Sequence, residues 1–178
     1  MRTHRLMLFC FGIALTLAMY STVQAANPYN LATGARGQLC LTCHEDFKQT
    51  MSKKFIHTPL AQGDCSGCHN PHAADHGMLL AADDTQICFS CHDGLVPPEA
   101  QSSHEIVSRG ECVTCHDPHS SDNRMNLVDT GSDLCFSCHD ELGGRIAQNK
   151  YQHSPVNDDC MTCHSPHAYA DQPNLLKE

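Results

Sequence analysis

Tryptophan is absent from the sequence, and the other aromatic residues are limited to four tyrosines and six phenylalanines among 178 residues. Large aromatic side chains normally supply much of the apolar area of a small core. No segment alternates apolar and polar residues long enough to predict a strand, and glycine or proline interrupts most intervals. The sequence therefore excludes an ordinary side-chain core and predicts a mostly irregular chain with short α-helices.

Long apolar runs are limited to residues 6–20, which follow Arg2 and Arg5 and precede a small-residue site at Val23–Ala25. This order is typical of a secretory signal peptide, which we predict over residues 1–25. The run is shorter than the roughly 20 residues that span a bilayer, so we expect export and cleavage, not an integral membrane protein.

Basic residues are scarce, because 11 lysines and arginines stand against 20 aspartates and glutamates, giving a formal net charge of -9. Cleavage of the leader would remove Arg2 and Arg5 and take this charge to -11. Nucleic acid and anionic lipid are therefore poor partners for such a chain, whereas a basic patch on a redox protein is a suitable one; solubility alone is the alternative reason for the charge.

Spare cysteine is also missing. One of the 13 cysteines, Cys10, lies in the apolar run, and the other twelve all belong to six CxxCH motifs. An exported protein would normally use spare cysteines as disulfides, so another group must hold this chain together. The motifs supply these cysteines in pairs: Cys40, Cys43, Cys65, Cys68, Cys88, Cys91, Cys112, Cys115, Cys135, Cys138, Cys160 and Cys163.

A histidine directly behind every CxxC pair decides between the possible sites. Zinc ribbons and redox dithiols also use CxxC, but neither requires a histidine at the next position. Haem c does, because two thiols bind the porphyrin edge and the next residue lies under the iron. The sequence therefore predicts six covalently attached haem c groups, with proximal ligands His44, His69, His92, His116, His139 and His164.

The motifs recur in three units of 47 to 48 residues, each with two CxxCH copies. We define repeat 1 as residues 39–86, repeat 2 as 87–133 and repeat 3 as 134–178, preceded by a linker at 26–38. The longest helix-compatible stretches are residues 44–55 and 139–151. With so few large side chains, the haems are expected to form the core, and the haem-free chain is expected to be unfolded.

Six further histidines keep the same register, one for each iron. One set precedes the second motif of each repeat by seven or eight residues, and the other follows that motif as CHxPH. Methionine, the other common sixth ligand, does not keep the register, since Met78 and Met125 align with Pro173. His76 aligns with Asn123 and Asp171 and is expected at the surface. The predicted distal ligands are His57, His72, His104, His119, His153 and His167.

The assignment of distal histidines to irons is less constrained. His72 follows the proximal His69 by three residues, with Pro71 between them, so its tether is too short to pass round the same porphyrin. If each repeat is self-contained, His72 serves the first haem of its repeat and His57 the second. Exchange of ligands between neighbouring repeats stays open as the alternative.

The repeated CxxCH...H...CxxCHxPH unit, from Leu39 onward, resembles the doubled CxxCH family of multihaem c-type cytochromes. That family includes periplasmic carriers similar to cytochrome c3 and haem-wire subunits of anaerobic respiratory and metal-reducing chains. The resemblance implies bis-histidine haem c, with CxxCH histidines proximal and the other registered histidines distal.

Bis-histidine iron has no position for substrate, so electron transfer is expected and an enzyme is not. Expected partners are redox proteins, such as a membrane quinol oxidase, an outer-membrane cytochrome complex or a terminal reductase. The expected location is the periplasm, with association at the outer membrane or outside the cell as alternatives. Two rival functions are the subunit of a polymeric cytochrome filament and a multihaem oxyanion reductase, which would need an open iron.

Overall fold

The structure is a computed structural model that describes residues 37–177. The expected signal peptide, with Cys10, lies outside the described residues, as does the expected linker up to residue 36. Gly37 has a positive φ of 66° and precedes the first helix, which begins at Gln38.

Short helices joined by loops make up most of the described chain, as the sequence predicts. The α-helices are α1 Gln38–Leu41, α2 Phe47–Thr50, α3 Thr58–Ala61, α4 Asp84–Phe89, α5 Glu105–Ser108, α6 Gly131–Phe136 and α7 Asp140–Gln148. Turns of 3-10 helix lie at Cys65–Gly67, Cys112–Thr114, Ser154–Asn157 and Cys160–Thr162, and tight turns lie at Gly77–Leu79, Arg124–Asn126 and Pro173–Leu175.

Both helix-compatible stretches contain a helix, but of different lengths. Within residues 139–151, α7 spans nine residues. Within residues 44–55, α2 spans only four, and strand β1 begins at Phe55. Intrinsic helix propensity is a weak guide to helix length where the chain turns to pack against a neighbouring repeat.

Four two-residue strands also occur in the described chain, which the sequence did not predict. Strand β1 (Phe55–Ile56) pairs antiparallel with β3 (Ser120–Ser121), and β2 (Ser102–Ser103) pairs antiparallel with β4 (Ala168–Tyr169). Two residues cannot display a period of two, so no alternation signal exists for such strands. Each pair joins one repeat to the next.

Side chains alone form almost no apolar core in the described residues. Leu60, at 8% exposure, is the buried hydrophobic residue among them, and the other buried side chains are serines. Ser120 and Ser121 are buried because their hydroxyls donate to the carbonyls of Thr50 and Leu127 at 2.5 and 2.6 Å. The irregular fold with short helices is thus confirmed, whereas a haem core remains a proposal.

Glycine at position 110 allows the first and second motif segments of repeat 2 to touch. Gly110 has φ 75°, and a Cβ there would overlap the side chain of Thr85 in α4. We expect Gly110→Ala to lower the free energy of unfolding of the haem-loaded protein by about 1–3 kcal/mol, because a non-glycine residue strains there.

Gly144→Ala is the matched control for this prediction. Gly144 lies inside α7, and a Cβ there meets nothing within 4 Å. The change should raise the free energy of unfolding by about 0.5–1 kcal/mol, since alanine favours a helix interior over glycine. Guanidinium titrations of both variants measure the difference, and equal stabilities would contradict the close approach at Gly110.

Candidate haem sites

Each CxxCH motif adopts one compact turn in the structure. The first motif of every repeat lies at the end of an α-helix, α1, α4 or α6, and the second lies on a 3-10 turn. In all six, the histidine N–H donates to the carbonyl of the first cysteine at 2.9 to 3.0 Å. This bond closes one helical turn, so both thiols and the imidazole come from the same short segment, as a porphyrin edge and its iron require.

Within a repeat, the first cysteines of the two motifs are neighbours. The thiol of Cys88 lies near that of Cys112, and the equivalent pairs in the other repeats are Cys40 with Cys65 and Cys135 with Cys160. Burial, and then the neighbouring thiol, raise the pKa of Cys88 and of Cys135 to about 11.

Between repeats, the second motif of one repeat lies beside the first motif of the next. Burial raises the pKa of Cys68, and the nearby Asp64 and Cys91 raise it further. Burial likewise raises the pKa of Cys115, with Cys138 as the next cause. The six motifs therefore follow one another in space in the order in which they follow one another in the chain.

Eight of the twelve predicted histidine ligands form four facing pairs. The ring centroids lie 5.9 Å apart for His57 and His92, and 6.1 Å apart for His69 and His119, with angles between the ring planes of 19° and 9°. The two equivalent pairs, one repeat further along, are His104 with His139 at 6.2 Å and His116 with His167 at 6.1 Å.

This spacing suits an iron ion between two imidazoles. Two metal–nitrogen bonds of about 2 Å, together with the distance from each nitrogen to its ring centre, separate the centroids by about 6 Å. Each pair also contains one CxxCH histidine, which is the arrangement of a proximal and a distal ligand.

The positions of the histidine rings favour exchange of ligands between repeats over the self-contained repeat. His119 faces His69 of repeat 1 and not His92 of its own repeat, and His57 faces His92 of repeat 2 and not His69. The strands explain why: pairing of β1 with β3 brings the His57 N–H to the His119 carbonyl at 2.8 Å. The same exchange, for the same reason, places His104 and His167 on haem motifs of repeats 3 and 2.

A backbone carbonyl orients the proximal histidine of every second motif. The Nδ1 atoms of His69, His116 and His164 lie 3.0, 2.8 and 3.0 Å from carbonyl oxygens in the tight turns. Such a bond places the proton on Nδ1 and leaves Nε2 free for a metal. The carbonyls belong to Met78, Met125 and Asn174.

Sequence reasoning missed this carbonyl, and its alignment of the segment was one residue off. The residue equivalent to Met78 and Met125 is Asn174, and not Pro173, because the third turn lies one residue further from its CHxPH histidine. All three have φ between 54° and 58°, a conformation that favours glycine, so residue type gives no signal for it.

In repeats 1 and 2 the residue before proline in CHxPH accepts the backbone N–H of the predicted distal histidine. In repeat 2 the Asp117 carboxylate accepts the N–H groups of His119 and Ser120 at 2.9 and 3.2 Å, and Asn70 does the same for His72 at 3.2 Å. Lys53 of repeat 1 lies 3.5 Å from Asp117. Despite partial burial, these bonds and Lys53 lower the pKa of Asp117, so it is ionised at neutral pH.

Burial favours the neutral form, which is the form that binds metal, in three of the predicted distal histidines. It lowers the pKa of His104, His119 and His167, and the facing imidazole lowers each further. For His119 the nearby Asp117 opposes this shift. Phe47 also packs edge-on against His119, with ring centroids 4.8 Å apart, and limits the orientation of that imidazole.

The remaining predicted ligands belong to the outer edges of repeats 1 and 3. They are His44, His72, His153 and His164. Among residues 37–177, no second histidine ring faces His44, His153 or His164. His76 is exposed, as expected for a surface residue.

Three segments of the chain, residues 57–96, 104–144 and 153–178, match the family described as doubled CXXCH motif. The chain belongs to this family. Each matched segment begins at a predicted distal histidine, and the first two combine the second motif of one repeat with the first motif of the next. Paired CXXCH motifs indicate covalently bound c-type haem, and thus electron transfer.

One characterised relative is similar over part of the chain. The multiheme cytochrome MtrA of Shewanella baltica (strain OS185) is 36% identical over 73 residues, which cover 39% of this chain and 22% of that protein. In the described part of the chain, we find no helix of the length and apolarity needed to cross a membrane.

Proposed function

We propose that this chain is an exported, periplasmic hexahaem cytochrome that passes electrons along its haems in anaerobic respiration. The single observation that carries the proposal is the set of four histidine pairs, each 5.9 to 6.2 Å between centroids and each joined to a CxxCH motif. The twelve motif cysteines hold the porphyrins. Haem supplies the one-electron chemistry, and the protein supplies ligands, spacing and order.

The spatial order of the motifs gives the proposed path. Neighbouring cysteines connect motif one to two, two to three and so on to six, through contacts within repeats and between them. An electron that enters at repeat 1 would therefore visit every haem before it leaves repeat 3, or the reverse. The paired imidazoles leave the four irons they enclose without an open position, which disfavours an oxyanion reductase.

The proposed partners are redox proteins at either end of the chain of haems. The similarity to the multiheme cytochrome MtrA supports redox proteins as partners. The negative formal charge of -9 favours partners with basic docking surfaces, such as a quinol oxidase, an outer-membrane cytochrome complex or a terminal reductase.

Haem counting and rapid reduction test this proposal. Mass spectrometry of the mature protein should give the mass of residues 26–178 plus six haems. Stopped-flow mixing with a small reductant should then reduce all haems, and an oxidised acceptor cytochrome should reoxidise them. A protein with fewer haems, or one that turns over nitrite or hydroxylamine rapidly while passing no electrons to the acceptor, would contradict it.

A further inference from the structure

Two of the candidate haem sites match closely in ligands, spacing and exposure. We call them site 2 and site 4, after the order of their motifs. The rings of His69 and His119 face each other at 6.1 Å in site 2, and those of His116 and His167 do so at 6.1 Å in site 4. In both sites the CxxCH histidine places Nδ1 near a carbonyl oxygen of a tight turn, at 3.0 and 2.8 Å. All four histidines are half-buried.

A carboxylate distinguishes site 2 from site 4. The residue before proline in CHxPH is Asp117 for His119 and Ser165 for His167. One oxygen of Asp117 accepts the backbone N–H of His119 and lies 3.9 Å from Nδ1 of the same histidine. This separation from Nδ1 is longer than a hydrogen bond, so the carboxylate acts on the ring through its charge. Ser165 is uncharged, and its hydroxyl donates to the Ala168 carbonyl at 2.7 Å.

The charge at site 2 comes from the far side of the junction between repeats. Asp117 belongs to repeat 2, whereas the CxxCH motif of site 2 belongs to repeat 1. Lys53 of repeat 1 lies 3.5 Å from the other oxygen of this carboxylate. At the second junction Ala100 takes the position of Lys53, because Phe55 and Ser102 begin the equivalent strands. Neither member of the ion pair therefore has a charged counterpart at site 4.

The two distal rings accordingly meet different electrostatic surroundings. Burial is the largest cause that lowers the pKa of His119 and of His167. At His119, Asp117 opposes this shift and is the largest contribution from any neighbouring charge. At His167 the remaining causes are two imidazoles, and no carboxylate of the described residues contributes.

We propose that Asp117 gives site 2 a lower reduction potential than site 4, acting on the iron through His119. A negative charge beside an axial imidazole makes that imidazole a stronger donor and stabilises the ferric state. Lys53 holds the carboxylate and offsets part of its charge. At equilibrium electrons then populate site 4 before site 2. This inference rests on the proposed function, because it concerns iron bound between His69 and His119.

Exchange of the residue before proline tests the proposal. Asp117→Asn should raise the ferrous-to-ferric ratio of site 2 about tenfold at a fixed applied potential, which is a shift of about 59 mV for one electron. The loop should keep its shape, because Asn70 at the same position of repeat 1 accepts the N–H of His72. Ser165→Asp should lower the potential of site 4 by a similar amount. The double variant should reverse the order of the two sites.

Redox titration at pH 7, followed by the haem-methyl resonances, measures each site separately, and His119→Ala and His167→Ala assign the resonances. Lys53→Met should shift the potential of site 2 in the direction opposite to Asp117→Asn, because it removes the offsetting cation. Asp122→Asn is the matched control. Asp122 accepts a backbone N–H of repeat 1 at 3.1 Å in the same loop, but it does not contribute to the pKa of His119. Its loss should leave the order of the two potentials unchanged.

Three outcomes would overturn the proposal. Two of them are equal potentials at sites 2 and 4 in the unmodified protein, and an Asp117→Asn variant in which site 2 keeps its potential. The third is an equal shift in Asp122→Asn, which would assign the effect to net charge and not to this carboxylate. High-spin iron at site 2 of the unmodified protein would instead contradict the paired histidines, and with them the proposed function. Low-spin iron at both sites with unshifted potentials would contradict this inference alone.

Discussion

Replacement of His119 by alanine should convert the haem at Cys65 and Cys68, in repeat 1, from low-spin to high-spin. The reason is that the His119 ring faces His69 at 6.1 Å, so its loss removes the second imidazole from that iron. The backbone of the junction should survive, because His57 donates to the carbonyl of residue 119 and not to its side chain. Electron paramagnetic resonance and haem-methyl resonances in nuclear magnetic resonance measure the change.

Methionine at the same position distinguishes a lost ligand from a damaged fold. His119→Met should keep the iron six-coordinate but raise the reduction potential of that haem, because thioether sulfur stabilises ferrous iron better than imidazole does. His167→Ala is the control, and it should perturb the haem at Cys112 and Cys115 instead. A change at the haem of Cys88 and Cys91 in the His119 variants would restore the self-contained repeat.

The sequence predicts which residues of these sites bind haem and iron, but not which distal histidine serves which iron. Six CxxCH motifs and six further histidines in one register predict which residues serve iron, since the chemistry of haem attachment fixes those spacings. Each iron receives two histidine ligands whether the histidines pair within one repeat or between two repeats. The histidine pairs of the structure differ from those of the self-contained repeat because strands β1 to β4 join neighbouring repeats. Strands of two residues leave no periodic pattern in the sequence.

The carbonyls behind the proximal histidines show a second limit. Met78, Met125 and Asn174 share a backbone conformation and a hydrogen-bonding role but no common side-chain chemistry. A glycine at these positions would have indicated a positive φ. Because no glycine occupies them, the sequence did not predict the turns. By contrast, Asp117 and Asn70 are short polar residues before proline, a known signal for a side chain that caps its own turn.

Production of residues 26–178 without haem should yield an unfolded chain. Among the described residues Leu60 is the buried hydrophobic side chain, and the remaining buried groups are serines that gain little from leaving water. Ordering each residue costs about 1–2 kcal/mol of backbone entropy, which a core of this size cannot offset. On our proposal the porphyrins supply the missing apolar area, and the paired histidines hold the repeats together.

Expression from residue 26 tests this, because a chain without the predicted leader is expected to stay in the cytoplasm, where its thiols are reduced and where we expect no haem attachment. Far-ultraviolet circular dichroism should show little helix, and amide proton resonances should be poorly dispersed, whereas the exported haem-loaded protein should show both helix and dispersion. Loss of one haem through Cys112→Ala and Cys115→Ala should have an intermediate effect, releasing His167 and loosening the contact between repeats 2 and 3. A haem-free chain with native-like dispersion and a cooperative thermal transition would contradict the prediction. It would show that the short helices and strand pairs are enough to fold the chain, and that haem binds after folding.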